Sequence, residues 1–435
     1  LSLLYNIVDR IYIARIPDIG TTALGAVGLC FPVIVIITAF SNLFGSGGAP
    51  LFSIERGRGN RKRASQIMNT SFTMVSICAA LLMVIFFLFA KPILVLFGAS
   101  ENALPYALPY LMIYVLGTFP SMVTTGMNPF INAQGYATTG MLSVRIGAVA
   151  NLLLNPLFIF FFDMGIQGAA IATVLSQILS AIFVLRFLRF RSEYRVRFLK
   201  KSEFAEGIAL AGNIASLGTA GFIMQLTNSL VTICCNNILA TTGGDLYVSV
   251  MTIISSIRQM VDTPIHAIME GSSPVISYNY GARRPKRVKQ AGLTMSALAF
   301  IYAILAWSVI LFAPRFLISI FSSDQELFAD AIPAMKLYFS AFIFMLLQYI
   351  GQTIFKSLNK KKQAVFFSLL RKVFIVVPLT YLLPYAFHMG TDGVFLAEPV
   401  SNVIGGTLCF VIMLCTVLPE LNQMERENVS AAPRG

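Results

Sequence analysis

Several residues of this chain bring together the atoms needed to hold a small cation inside an apolar protein. Asp9 sits in the run LLYNIVDRIYIARI, with Asn6 one helical turn before it and Tyr5 and Tyr12 flanking the same face. Its neighbour Arg10 is adjacent in sequence and so does not face it on a helix. Asn151 and Asn155 stand four apart, just before Pro156, and Thr173 and Gln177 repeat that spacing further on. Asp9, Asn151, Asn155 and Thr173 together offer one carboxylate and several neutral oxygens, the hard ligands that suit Na⁺ or a hydrated proton. An ionisable group within an apolar span is costly, which makes Asp9 the leading functional candidate. Amides and hydroxyls at this spacing also hold helices together, and that reading stays open for the other three.

A second polar stripe runs through Arg258, Asp262, His266 and Glu270, each four residues from the next. Arg258 and Asp262 read as an internal ion pair, so this stripe is structural, with a gating role open for Arg258, Asp262 and Glu270. Arg371 and Lys372 lie about two helical turns from the basic loop Lys360–Lys362, within reach for snorkelling back to it. Weaker candidates for lining an apolar, adaptable substrate cavity are Asn6, Tyr12, Met224, Gln225, Asn228 and Met251. Nothing resembles an enzyme. The chain has no G-x-x-x-x-G-K-[ST] phosphate loop, and its two histidines, His266 and His388, lack a nucleophile with a credible base. The six cysteines lie in apolar runs without metal-ligand spacing and read as small core residues. No cofactor is expected.

These residues must be positioned by membrane-spanning helices. Hydrophobic residues make up 57% of the 435, charged residues 12%, and mean hydropathy is +0.77, where a soluble domain carries about a quarter charged. Such runs satisfy their backbone in lipid as α-helices. Spans are expected near 1–16, 24–53, 66–90, 105–126, 140–162 and 168–188, then 207–240, 246–276, 290–312, 330–355, 364–387 and 394–418. The chain opens on Leu1 in mid-span, so the first half of span one is expected to be missing. The net charge of +13 is concentrated in alternate loops, such as Arg56–Arg63, Arg186–Lys201 and Arg283–Lys289. Positive loops stay cytoplasmic, which puts both termini on the cytoplasmic side of the membrane. The basic stretch 189–206 reads as a lipid-facing connector between a lobe at 1–188 and a lobe at 207–418, with a tail at 419–435; nucleic acid is not an expected partner.

The two lobes echo each other. GGAPLFSIERGRGNRKRA at 47–64 overlays GSSPVISYNYGARRPKRV at 271–288 without a gap, matching Gly47, Pro50, Ser53, Gly57, Lys62 and Arg63 at an offset of 224. Phe97, Pro109 and Tyr114 keep that offset to Phe321, Pro333 and Tyr338, and Gly165–Gly168 meets Gly390–Gly393 at 225. One six-span unit has been duplicated, as in many transporters.

With YNIVDRIYIARI, NLLLNPLFIF, GAAIATVLSQ and above all EGSSPVISYNYGARRPKRV on the page, the chain resembles the multidrug and toxic compound extrusion (MATE) family, most like its bacterial MepA-like branch. The resemblance covers essentially the whole chain. It implies twelve transmembrane helices in two pseudo-symmetric six-helix lobes forming a V around a central cavity. It also implies export of amphipathic, often cationic drugs in exchange for H⁺ and/or Na⁺, by a protein expected to be a monomer. Carried over, the family's cation-site acid falls on Asp9, with Asn151 and Thr173 beside it. The family usually has Asp where this chain has Asn155, which weakens the expected Na⁺ affinity. Some relatives have a carboxylate where Gln225 stands, so a cation site in the second lobe is expected to be absent. A lipid-linked oligosaccharide flippase of the same superfamily is the alternative function, and a polytopic membrane enzyme built on His266 and Glu270 a remote one.

Overall fold

Long apolar runs, broken mainly at glycine, proline and basic loops, set the helices. A computed structural model describes residues 12–13, 20–97, 101, 103–200, 203–320 and 325–430. Among them there is no β-strand. Helices α1 (Gly20–Gly57) and α2 (Arg61–Leu88) meet at the basic loop 58–60. Short α3 (Ala90–Leu96) leads to α4 (Leu104–Leu116) and α5 (Thr118–Ala133), which form one span bent by 52°. Helices α6 (Ala137–Pro156) and α7 (Gly165–Arg186) each run on into a π-helical turn, at Leu157–Phe161 and Phe187–Arg191.

The second half repeats this plan. It comprises α8 (Phe204–Thr242), α9 (Gly244–Gly281), α10 (Pro285–Phe312), short α11 (Pro314–Ser319), α12 (Gln325–Tyr338) and α13 (Phe342–Ser357). The α12–α13 pair is again one span, bent by 46°. Span eleven is α14 (Lys361–Leu369), a π-helical stretch Leu370–Val376, α15 (Val377–Tyr381) and a second π-helical turn Leu382–Ala386. The chain ends in α16 (Gly390–Ser401), a π-helical turn Asn402–Gly406 and α17 (Thr407–Ser430).

Among the described residues, eight helices are long and apolar enough to cross a membrane, or ten with each bent pair taken as one span. Helix α9 has the length, with 38 residues, but Arg258, Asp262 and Glu270 interrupt its apolarity. Span one lies mostly outside the described residues. With these two the array is that of a twelve-span, all-α membrane protein in two repeats.

Backbone strain records the duplication independently. All but Gly244 of the left-handed residues among those described come in pairs: Gly59 (φ 77°) with Arg283 (53°), Gly135 (93°) with Asn359 (60°), Asp163 (52°) with His388 (55°), and Gly165 (53°) with Gly390 (55°). The first two pairs are 224 apart and the last two 225, the offsets of the sequence echo. A non-glycine residue pays for this conformation, so its recurrence at Arg283, Asn359 and His388 shows a loop geometry kept after the glycine or Asp of the other copy was replaced. The spans of each half bend at matching points too, at Gly117 and Ala341.

By packing, the chain divides into two compact units. The first takes residues up to Phe52 together with Arg61–Gly218, the second Ser53–Asn60 with Thr219 onward. Within the first, Phe52, Phe72, Phe130 and Met127 anchor an apolar core. There Gly45 on α1 lies so close to α5 that a Cβ would strike the Gly126 carbonyl, small residues being what allows such backbone approach in lipid. The second unit is built on Phe339, Phe355, Phe367 and Phe395. All six cysteines are free thiols.

The basic stretch after α7 is not a loose tether. Residues 191–196 alternate exposed and buried, with Ser192, Tyr194 and Val196 inward and Arg191, Glu193 and Arg195 outward. The segment is fastened to the first unit by Tyr194 N–H to Gln134 Oε1 (3.1 Å), Arg197 N–H to Asn69 Oδ1 (3.0 Å) and Leu199 N–H to Thr73 Oγ1 (3.3 Å). Arg197 then makes a bidentate pair with Glu203 at 2.7 and 2.6 Å. Hydrogen bonds from Arg197 and from the Lys200 backbone hold the Glu203 carboxyl down at about 2.

Candidate functional site

The first unit brings three of the sequence candidates together. Asn151 and Asn155 share a face of α6 because they are one turn apart, and Thr173 meets them from α7. Asn155 Nδ2 donates to Asn151 Oδ1 at 2.7 Å, and Asn151 Nδ2 donates to Thr173 Oγ1 at 3.2 Å. All three side chains are buried. A turn further along α7, Gln177 Nε2 donates to the Tyr114 hydroxyl on α4 at 3.4 Å. The described part of this site is therefore a chain of neutral dipoles, able to solvate a cation or a protonated group without carrying charge itself. Asp9 and Asn6, the remaining candidates here, lie outside the described residues. Tyr12 packs edge-on to Phe160, with ring centroids 6.3 Å apart.

The second unit holds a different site at the corresponding place, and its hub is a residue the sequence reading passed over. Glu398 on α16 is 4% exposed. Its Oε1 receives Arg258 Nη2 from α9 at 2.9 Å, Lys372 Nζ at 2.9 Å and Arg371 Nη1 at 3.4 Å. Arg371 also donates to Asn402 Oδ1. Arg258 reaches Asp262 Oδ2 with Nε at 3.3 Å and donates to the Tyr338 hydroxyl at 2.5 Å. Tyr349 donates to the same Asp262 oxygen at 3.3 Å. Three cations thus face two carboxylates, leaving one positive charge. Arg371 Nε and Asp262 Oδ1 have no hydrogen-bond partner among the described residues.

Two sequence expectations change here. Arg371 and Lys372 do not snorkel to the basic loop; they are 1% and 2% exposed. Both lie in the π-helical stretch Leu370–Val376, and these sequence neighbours converge on one carboxylate oxygen. Gly405 leaves the room: a Cβ there would come within 3.0 Å of Arg371 Cγ. The attraction of Glu398 replaces the water that snorkelling would have reached. The second correction concerns the Arg258–Asp262 pair, which forms as expected but is one edge of the Glu398 cluster rather than a self-contained ladder. The rest of the stripe divides. His266 packs on the Tyr349 ring, centroids 4.7 Å apart, while Glu270 is exposed. Of the cavity candidates, Met251 is packed in the core of the second unit, Met224 and Gln225 are half-buried, and Asn228 is exposed.

Glu398 was findable, since a carboxylate inside the apolar run GVFLAEPVS meets the rule that picked out Asp9. Its partners were not, because they come from helices 26 to 140 residues away. The 225-residue offset that joins Ala172 to Ala397 also joins Thr173 to Glu398 and Gln177 to Asn402, while Tyr114 answers to Tyr338. One site has been kept twice, neutral in the first unit and charged in the second.

Two copies of a six-span unit, each with a polar centre built at the meeting of its fifth and sixth spans, define a secondary-transporter architecture. The chain belongs to the MatE family, whose sequence profile matches residues 1–157 and 220–382. A protein named FAD transporter, from Shewanella oneidensis, is 26% identical over 431 residues, covering 94% of this chain and 89% of its own. The multidrug export protein MepA of Staphylococcus haemolyticus is 22% identical over 433 residues, covering 99% and 92%. Among solved structures, an outward-facing multidrug resistance MATE transporter of the MOP superfamily superposes with a TM-score of 0.88 over 98% of this chain and 93% of that one, at 20% identity.

Proposed function

We propose that this protein is a secondary active exporter of amphipathic organic cations, driven by exchange for H⁺ or Na⁺ at the Asp9–Asn151–Asn155–Thr173 site. The observation that carries the reading is the buried Asn155–Asn151–Thr173 hydrogen-bond chain. It is polar, fully desolvated and uncharged, so a carboxylate joining it is the one group whose charge an arriving cation or proton must answer. Two relatives are named multidrug export protein MepA, which supports drugs as the exported class. Because Asn155 donates to Asn151 where the family's usual Asp could only accept, the site has one acid fewer. We therefore favour H⁺, or weak sharing between H⁺ and Na⁺.

A second reading has its own support. The surplus positive charge of the Glu398 cluster suits an anionic substrate group, and the relative from Shewanella oneidensis is named as a transporter of FAD, a dinucleotide. Purified protein in proteoliposomes separates the two. Export of a cationic dye under an imposed pH or Na⁺ gradient, with no ATP, supports the first reading. Flavin dinucleotide movement without dye export supports the second. Transport that requires ATP and ignores ionophores contradicts both.

A further inference from the structure

We propose that the end of span six on the basic-loop side holds one anionic glycerophospholipid, with its phosphate among arginines and a chain laid along α7. A groove of about 760 Å³ lies there in the first unit, bounded by the end of α7, the π-helical turn that follows it and the fastened segment 196–198. That is the volume of a ligand site rather than of a surface dimple. Its walls are unlike each other. Ile182, Phe190 and Phe198 form an apolar side and are 56%, 71% and 57% exposed. Arg186, Arg189 and Arg191 form the other.

The arginines are not spoken for by protein acids. Arg186 and Arg191 make no ion pair or hydrogen bond among the described residues, and Arg189 donates only to the Val196 carbonyl at 3.2 Å. The neighbouring acids are already engaged, Glu203 by Arg197 and Glu193 by Arg61 at 2.5 Å. Three arginines lining one groove therefore give it a positive field that neighbouring acids do not balance, which an anion would answer by charge-assisted hydrogen bonds.

The apolar wall says which anion. Leu175, Leu179 and Ile182 are exposed and follow one another at helical spacing, and Arg186 closes the same face one turn on. This is an acyl-chain track ending in a phosphate-binding charge. Gly165–Arg191 is long and apolar enough to cross a membrane, so its arginine end falls where headgroups lie. Basic pockets at this depth recognise acidic headgroups. A nucleic acid or a soluble phosphate would use the arginines and leave the apolar ladder and both phenylalanines without a function. The fastening of 192–199 to α2 and to the end of α5 holds Val196 and Phe198 at the groove.

The test uses the intact protein in nanodiscs of phosphatidylcholine containing a minor fraction of phosphatidylglycerol. Lipid that stays with the protein is extracted after exchange into detergent and quantified. The expected result is severalfold enrichment of phosphatidylglycerol over its share in the disc, weakening with salt. Arg186→Gln and Arg191→Gln should each reduce the enrichment about fivefold, while Arg145→Gln, an exposed arginine on α6, should leave it unchanged. Phe190→Ala keeps every charge and should still lower retention. Should the arginine variants be poorly folded, Phe190→Ala alone decides the matter. Equal enrichment in wild type and in these variants overturns the proposal. So does displacement of the lipid by millimolar inorganic phosphate, which would mark a simple anion site.

Discussion

The two polar centres occupy the same place in the two repeats and have opposite characters. In the first unit Thr173, Gln177 and Tyr114 surround neutral amides. In the second, their counterparts Glu398, Asn402 and Tyr338 surround three cations and a second carboxylate. A neutral site can accept and release a charge, because its protein dipoles do not change when the ion leaves. The charged site is different. Its ions are desolvated, and their mutual attraction is what offsets that cost. Duplication thus supplied two copies of one helix pairing, and divergence left one permissive and one held shut by its own charges. The π-helical stretches fit this division, since span eleven is wound wide through Leu370–Val376 where Arg371 and Lys372 turn inward, as insertions of this kind often are at functional sites.

The contrast predicts unequal responses to substitution. Glu398→Gln should cost the most. Removing one partner of a buried ion cluster strands the others, at about 3–5 kcal/mol, and thermal unfolding in detergent should show a large fall in midpoint. Adding Lys372→Gln to that variant removes one stranded cation and should recover part of the loss. A Glu398→Gln protein as stable as wild type would mean that water reaches the cluster. Asn155→Asp should come next, and act on transport rather than stability. A second acid beside the proposed cation site should lower the Na⁺ concentration needed for half-maximal export, about tenfold for each 1.4 kcal/mol gained. An unchanged Na⁺ dependence would detach Asn155 from the site. Thr173→Val removes one neutral acceptor while keeping the volume, and should destabilise by only about 1 kcal/mol.

Much of this contrast was readable from the chain, and the unreadable part has a common cause. The duplication was legible because loops repeat proline, glycine and basic residues at a fixed offset, and the paired left-handed residues later followed the same offset. Asn151, Asn155 and Thr173 were legible because two are a helical turn apart and the third sits in the next span. Arg258 and Asp262 were found by the same local spacing. Glu398 was missed as a partner because its three cations approach from two helical segments distant in sequence, and no scan along one helix joins them. Arg371 and Lys372 were misread because α-helical spacing does not foresee a π-helical stretch that turns both inward. Within the connector expected at 189–206, residues 191–196 alternate charged and buried positions with period two, the mark of an extended segment with one face packed.

The smallest predicted effect concerns that segment. The Glu203 carboxyl is held below its ordinary value of 4.5, to about 2, first by the Arg197 hydrogen bonds. A depressed carboxyl contributes stability above its ordinary value and loses it as pH falls from there through the lowered one. Hydrogen-exchange protection of the Arg197 and Leu199 amides should therefore be the same at pH 7 and pH 5, and decline only between about 4.5 and 2. Protection already lost at pH 6 would show that Glu203 is not the latch.

The proposed function requires the first unit's site to couple transport to an ion, with Asp9 proposed as the residue that carries the charge. Asp9→Asn keeps the shape of the protonated side chain and cannot cycle. Wild type and Asp9→Asn should be reconstituted in proteoliposomes and compared for dye binding and for dye export under separate pH and Na⁺ gradients. The variant should bind dye as wild type does and fail to export it under either gradient. Export by Asp9→Asn at the wild-type rate down the same gradients would contradict the proposed function.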